Sequence, residues 1–353
     1  MTTPADTTTP DTTAEDFGFS EVTFRRRLLT ANVLWIFLIL VGIVVAFTSL
    51  NQNFVQSFNI RSIFADNSSL IVLAIGETFI IITAGIDLSV GSVLIFSGVI
   101  AGKTMLALGS SNPQIAATNE GWGLILLGVA AGIGAGIGFG IVNGFLVAKA
   151  KVPPLIVTLG TYGVALGFSY LLTNGTDLRG MPNTYVETIG FGNAFGEIPY
   201  QVIIAGVIAL VCGLLLAFTR FGRYTYAIGS NEEAARRVGI NVTRHLIKIY
   251  ALMGGLAGAA GCMSLAHFTT TTISGHTTDN LSAIAAVVIG GSSLFGGRGT
   301  IGGTIIGVLI PATLASGFII VGVNPYYQYV AVGVVLIGAV YLDQLRRRTI
   351  ENS

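Results

Sequence analysis

Charge is what this sequence has least of. Of 353 residues, 18 are Lys or Arg and 17 are Asp or Glu, so 10% are charged, against about 25% in an ordinary soluble domain. A formal net charge of +1 offers no basic field that would hold nucleic acid. Cysteine is nearly absent: Cys212 and Cys262 both lie in apolar stretches. Neither a disulfide framework nor a thiolate-bound metal follows, and both read as buried free thiols. His245, His267 and His276 are scattered, with no metal-ligand spacing and no nucleophile motif beside them. The nearest approach to a phosphate loop, Gly98 to Thr104, has three residues between its glycines, one too few for the motif. The chain reads as a non-enzyme that holds no cofactor and no metal of its own.

Apolar length is abundant. Hydrophobic residues make up 52% of the chain and the mean hydropathy is +0.77, the balance of a membrane protein. A crossing of the roughly 30 Å hydrocarbon layer takes about 20 residues. Apolar runs fall at 31–50, 68–85, 88–108, 122–148, 152–173, 200–219, 247–268, 281–295, 301–321 and 325–342. Runs this long and unalternating are helices, since only helices and closed barrels satisfy their backbone in lipid. The fold class is therefore all-α, a multi-pass membrane protein with about ten transmembrane helices. Placing the first end inside makes 15 of the 18 basic residues cytoplasmic, as the positive-inside rule demands, and puts both termini in the cytoplasm. Residues 1–27, with five acids and no base before Arg25, read as a disordered cytoplasmic tail and not as a cleaved signal peptide. Residues 28–345 read as a transmembrane domain with a cytoplasmic loop at 220–247, and 346–353 as a short cytoplasmic tail. The expected location is a cytoplasmic membrane.

The fourth run carries Gly128, Gly132, Gly136, Gly140 and Gly144 at every fourth position. Such a row bares one helix face to close backbone approach, the usual basis of helix packing in lipid. A weak internal echo, Asp66-Asn67-Ser68-Ser69 and Asp279-Asn280-Leu281-Ser282, hints at duplicated halves.

Carboxylates at membrane depth are costly and face a cavity or a partner, which singles out Glu77 and Asp87. The second run closes on Gly85-Ile86-Asp87-Leu88-Ser89-Val90-Gly91, a composition suited to a broken helix with Asp87 as N-cap of the next one. Glu77 reads equally as a hydrogen-bonded strut or as an acceptor lining a pathway. Thr78, Ser89 and Asn143 join them as candidates for the pathway or broken helix, Asn143 as an amide that a neighbouring helix would satisfy equally well. In the cytoplasmic loop, Ser230 or Asn231 caps a short helix with Glu232 and Glu233 in its first turn. Ala234, Ala235, Arg236 and Arg237 follow, and Gly239 ends it. Acids at the positive end, bases at the negative end and a terminal glycine are complete capping for two turns that would be marginal alone. Such an element is expected to be gripped by a partner.

The run Ala227-Ile228-Gly229-Ser230-Asn231-Glu232-Glu233-Ala234-Ala235-Arg236-Arg237-Val238-Gly239-Ile240 resembles the coupling-helix segment of ribose-type permease subunits of ATP-binding-cassette importers. Three stretches agree: Thr83 to Ser92, Thr158-Leu159-Gly160-Thr161, and Ala283 to Gly297. The resemblance covers roughly residues 30 to 345. It implies a dimer with a second copy or a sister permease, and cytoplasmic cassette ATPase subunits that bind ATP and Mg. It also implies an extracytoplasmic solute-binding protein delivering a sugar or related polar solute, and makes the expected location a bacterial cytoplasmic membrane. Gly229, Asn231, Glu232, Ala234, Ala235, Arg236 and Gly239 would contact the ATPase. Where the family commonly has a Tyr-Glu-Leu-Asp-like stretch, this chain reads Thr278-Asp279-Asn280-Leu281-Ser282. The hydroxyl-rich segment before it, Thr269 to Thr272 with His276, would be a flexible polar loop, meet the binding protein or line the entrance. The alternatives are an ion-coupled secondary transporter using Glu77 and Asp87, and a passive channel.

Overall fold

The computed structural model describes residues 32–109 and 121–324, with isolated positions between 326 and 341. The tenth run and both terminal tails thus lie wholly or largely outside the described residues. Thirteen helices are described, in the order α1 (Asn32–Leu50), α2 (Ser57–Asp66), α3 (Ser68–Ile82), α4 (Val90–Leu108), α5 (Trp122–Ala148), α6 (Pro154–Thr173), α7 (Asn183–Tyr185), α8 (Tyr200–Phe218), α9 (Arg220–Ser230), α10 (Glu232–Arg237), α11 (Val242–Phe268), α12 (Asp279–Ile289) and α13 (Ile301–Ile320). A two-stranded hairpin pairs Asn193 with Pro199 and Ala194 with Ile198.

Seven of these helices are long and apolar enough to cross a membrane, and α2 with α3 makes an eighth crossing bent by 46°. The boundaries follow local chemistry. Pro154 opens α6, where its missing N–H costs nothing. Thr300 Oγ1 accepts from Gly303 N at 3.1 Å to open α13. The expected run 247–268 begins five residues early because Asn241 Oδ1 caps the helix through Arg244 N at 3.0 Å, carrying α11 out toward the cytoplasm. The expected run 281–295 is a helix only to Ile289, since Gly290 and the left-handed Gly291 (φ 87°) end it.

α11 is the centre of the fold, packed against α5, α3 and α4. The glycine row of α5 makes the closest contact. A Cβ at Gly136 or Gly140 would strike the Gly254 or Tyr250 carbonyl on α11, and one at Gly132 would lie 2.7 Å from Ser97 O on α4. Gly134 and Gly138, off the row, have open space around them. Of α3, every residue but Leu70 is buried, so this helix is screened from lipid by its neighbours. Cys212 and Cys262 are both free and buried.

The polar ends sort into two sets. On one side, Gly297 N donates to Ile82 O at 2.8 Å and Tyr226 Oη to Gly299 O at 2.7 Å. On the other, His267 Nε2 lies 3.2 Å from Asp66 Oδ1, Thr271 N donates to Leu178 O at 3.1 Å, and Arg61 pairs with Glu197. These are the inner and outer sets that alternating crossings require.

Candidate functional site

The cytoplasmic element comes first, because its local chemistry is complete. Asn231 Oδ1 accepts from Ala234 N at 2.9 Å, satisfying one of the orphan donors at the start of α10. Arg236 Nη2 lies 2.6 Å from Glu232 Oε1 and Arg237 Nη2 3.6 Å from Glu233 Oε2, both at i,i+4. Gly239, at φ 87°, closes the helix, its N–H donating to Arg236 O at 3.1 Å while Ile240 N reaches Ala235 O at 3.0 Å. Asn231, Glu232, Ala234, Arg236 and Gly239 are all exposed. Ala235 is the exception, buried against Ile228 and Val242. Val238, 77% exposed, adds an apolar tip.

The segment before α10 is itself a helix, α9, which sequence reading left as loop. Thr219 caps it, accepting from Phe221 N at 3.1 Å. Gly229 sits on its last turn, on the side facing the membrane-embedded helices. A Cβ there would strike Ile82 O and stand 2.7 Å from Gly297 N. Burial holds the Tyr226 phenol above its usual range, so it remains the donor to Gly299 O.

Ile82 ends α3, and the chain turns sharply there. Ala84 takes the left-handed conformation (φ 60°), and the Ile80 and Ile81 carbonyls are taken up by the amides of residues 83–85 at 2.9–3.0 Å. Residues 83–89 then fold back along α3. Asp87 N donates to Glu77 Oε1 at 3.1 Å, ten residues upstream, and Asp87 Oδ1 accepts from Ser89 N at 2.8 Å and Ser89 Oγ at 2.6 Å. The N-cap of α4 is Ser89. Asp87 stands two residues earlier and holds the capping residue itself, which corrects the expectation that Asp87 would be the cap. Asn143 Nδ2 on α5 donates to Ser89 Oγ at 2.9 Å.

Glu77, Asp87, Ser89 and Asn143 thus form one buried cluster, each no more than 3% exposed. Thr78 is separate: its Oγ1 meets Thr304 Oγ1 on α13 at 2.7 Å. The space beside Asp87, Ser89 and Asn143 is about 10 Å³, room for one water. Among the described residues no group of three or more His, Cys, Asp or Glu gathers as a metal site.

The chain matches the family model described as "Branched-chain amino acid transport system / permease component" over residues 59–340. The chain belongs to this permease family. Among similar proteins, the ribose import permease protein of Bacillus subtilis (strain 168) is 40% identical over 310 residues, 87% of this chain and 91% of that one. The D-allose transport system permease protein of Escherichia coli (strain K12) is 36% identical, with 88% and 90% covered. The fructose import permease protein of Rhizobium meliloti is 34% identical, with 85% and 81% covered. No solved structure matches this permease. As a member of the family it is an integral, multi-pass membrane protein that serves as a transport subunit.

Proposed function

We propose that this permease is the membrane subunit of an ATP-binding-cassette importer that takes a sugar from an extracytoplasmic binding protein and passes it inward by alternating access. The observation that carries this reading is α10, a fully capped helix of six residues with its outer face free. Two turns are marginal alone in water, so this much local stabilisation suits a rigid handle. Asn231, Glu232, Ala234, Arg236 and Gly239 form its gripped face, while Ala235 and Gly229 seat it. A cassette ATPase with bound ATP and Mg is the partner, and a second copy or sister permease completes the pathway. Sugar is favoured as solute because the relatives above are named for ribose, allose and fructose, whatever the wording of the family description. Bacterial relatives favour the cytoplasmic membrane as location.

Force on α10 has a short route inward. α9 abuts Ile82 through Gly229 and the turn at 296–299 through Tyr226, and Ile82 opens directly into the broken segment 83–89. We assign Glu77, Asp87, Ser89 and Asn143 to holding that break, and Thr78 to tying α3 to α13. A self-sufficient ion-coupled carrier is disfavoured, because the family description names a component of a system.

The test is purification of the tagged chain from native membranes in mild detergent, with identification of co-purifying proteins and an ATPase assay. Recovery of a cassette ATPase whose hydrolysis a binding protein stimulates is the expected result. A lone chain that accumulates sugar under an ion gradient would overturn the reading.

A further inference from the structure

The segment between α11 and α12 leaves the outer face and re-enters the membrane. His276 Nε2 meets Ser264 Oγ on α11 at 2.6 Å, and His276 Nδ1 meets Asp279 Oδ2 at 2.7 Å. Asn280 Nδ2 donates to Leu88 O at 3.0 Å, Tyr162 Oη to Thr277 O at 3.2 Å, and Ile273 N to Asp177 Oδ1 at 3.0 Å. The depth can be read against α11. Gly98 packs on Gly261, seven residues short of Phe268, so that level is roughly 10 Å inside the outer end. Gly91, against which the His276 carbonyl lies, is two turns earlier on α4. The tip of the segment therefore sits near the middle of a layer roughly 30 Å thick.

Non-helical backbone at that depth is tolerated only where protein buries it or where it lines water. Ser274, Gly275, Thr278 and Leu281 are exposed on the single chain. The hydroxyls of Ser274 and Thr278 have no protein partner among the described residues. We infer that residues 274–282 line the solute cavity, and that Ser274 and Thr278 bind a neutral polyol by hydrogen bonds. The one carboxylate of the stretch, Asp279, is already engaged by His276, and the stretch holds no Lys or Arg, so it is not built for the ammonium and carboxylate of an amino acid. Hydroxyl contacts without charge also hold a solute weakly enough to release it, as conduction requires. The bonds to Ser264, Leu88, Tyr162 and Asp177 fix the segment in advance of binding. The contact from Asn280 to Leu88 joins it to the inner break at 83–89. This inference rests on the sugar reading above for its ligand, but not for its cavity.

The test uses the whole importer in proteoliposomes with cysteines placed one at a time by Ser274→Cys, Thr278→Cys and, as a lipid-facing control on α8, Leu210→Cys. Native Cys212 and Cys262, each 4% exposed, give little background. A charged, membrane-impermeant methanethiosulfonate should modify S274C and T278C at least about tenfold faster than L210C, because only a water-lined position is reached. Ribose delivered by the binding protein should slow both. Rates equal to that of L210C would overturn the cavity assignment, whatever the solute. Fast modification that ribose, allose and fructose all leave unchanged would overturn the polyol assignment, and sugar uptake measured on the unsubstituted importer separates this from failure of the sugar reading. Thr278→Val, which keeps shape and removes the hydroxyl, should raise the KM of uptake by about two- to tenfold, the range of one net hydrogen bond. An unchanged KM would remove Thr278 from the binding set.

Discussion

Substitution of Gly229 by Ala adds one methyl group where α9 touches the end of α3. The added Cβ would strike the Ile82 carbonyl and stand 2.7 Å from Gly297 N. Both are backbone atoms that cannot rotate away, and together they form the 2.8 Å hydrogen bond that catches the Ile82 carbonyl. Overpacking costs about 1–3 kcal/mol, and losing the hydrogen bond about 0.5–1.5 kcal/mol. Against this, Ala gains about 0.5–1 kcal/mol over Gly inside a helix. The balance is a destabilisation of roughly 0.5–4 kcal/mol, placed at the joint between the cytoplasmic element and the break. Gly206→Ala on α8 is the matched control, because nothing lies within 4 Å of its added Cβ and only the propensity gain of about 0.5–1 kcal/mol remains. Unfolding titrations in mixed micelles should rank G206A at or above the native chain and G229A below it. Reconstituted G229A should also show less uptake per ATP hydrolysed. Equal stability of G229A and the native chain, with equal coupling, would refute the argument that α9 is seated on the end of α3 by backbone contact.

Other outcomes follow from single interactions. Glu232→Ala combined with Arg236→Glu removes the 2.6 Å pair on α10 and reverses a charge on its exposed face. ATP hydrolysis in the assembled complex should continue while uptake is lost, with circular dichroism showing intact spans. Asn231→Ala deletes the cap worth about 1 kcal/mol, so amides 232–237 should exchange roughly fivefold faster by mass spectrometry. Tyr226→Phe removes only the donor to Gly299 O, and uptake per ATP should fall while the amount of folded protein does not. Asn143→Ala leaves the Ser89 hydroxyl without its partner on α5. The loss should be about 1–3 kcal/mol in the same micelle titrations, and a cost near zero would mean that the break is held by α3 alone.

How much of this was legible depended on how far apart the interacting residues lie. The spans and the capped helix were readable because hydropathy and capping act within a few residues. Glu77 and Asp87 could be named from their cost at membrane depth, and Ser89 from the composition of the break around it. That Asn143 would close their cluster, 54 positions from Ser89, could only be guessed from an isolated amide. Thr78 was grouped with Glu77 by adjacency, yet neighbouring helix positions point about 100° apart, and it faces Thr304 instead. α9 was missed although Thr219 before Phe221, Tyr224 and Ile228 at helical spacing was signal enough, because the polar loop around it masked the pattern. Gly229 resembled part of the coupling motif, and its seat against Ile82 and Gly297 is a contact between three distant segments that no local rule reports. The re-entrant segment at 269–278 was visible only as a hydroxyl-rich loop, since depth is a property of its partners on α11 and α4.

The glycine row of α5 sets α5 and α11 backbone to backbone from Gly132 to Gly144, whereas Gly128 lies against Met105 of α4. Side chains can change rotamer to absorb sliding or tilting, but two bare backbones in contact cannot, because every displacement is a collision. This close-packed stretch, from Gly132 to Gly144, is therefore a stator about 20 Å long. Any rocking that admits and releases solute must be made by pieces hinged around it, and the breaks at 83–89 and 269–278 and the bend between α2 and α3 are joints among the described residues.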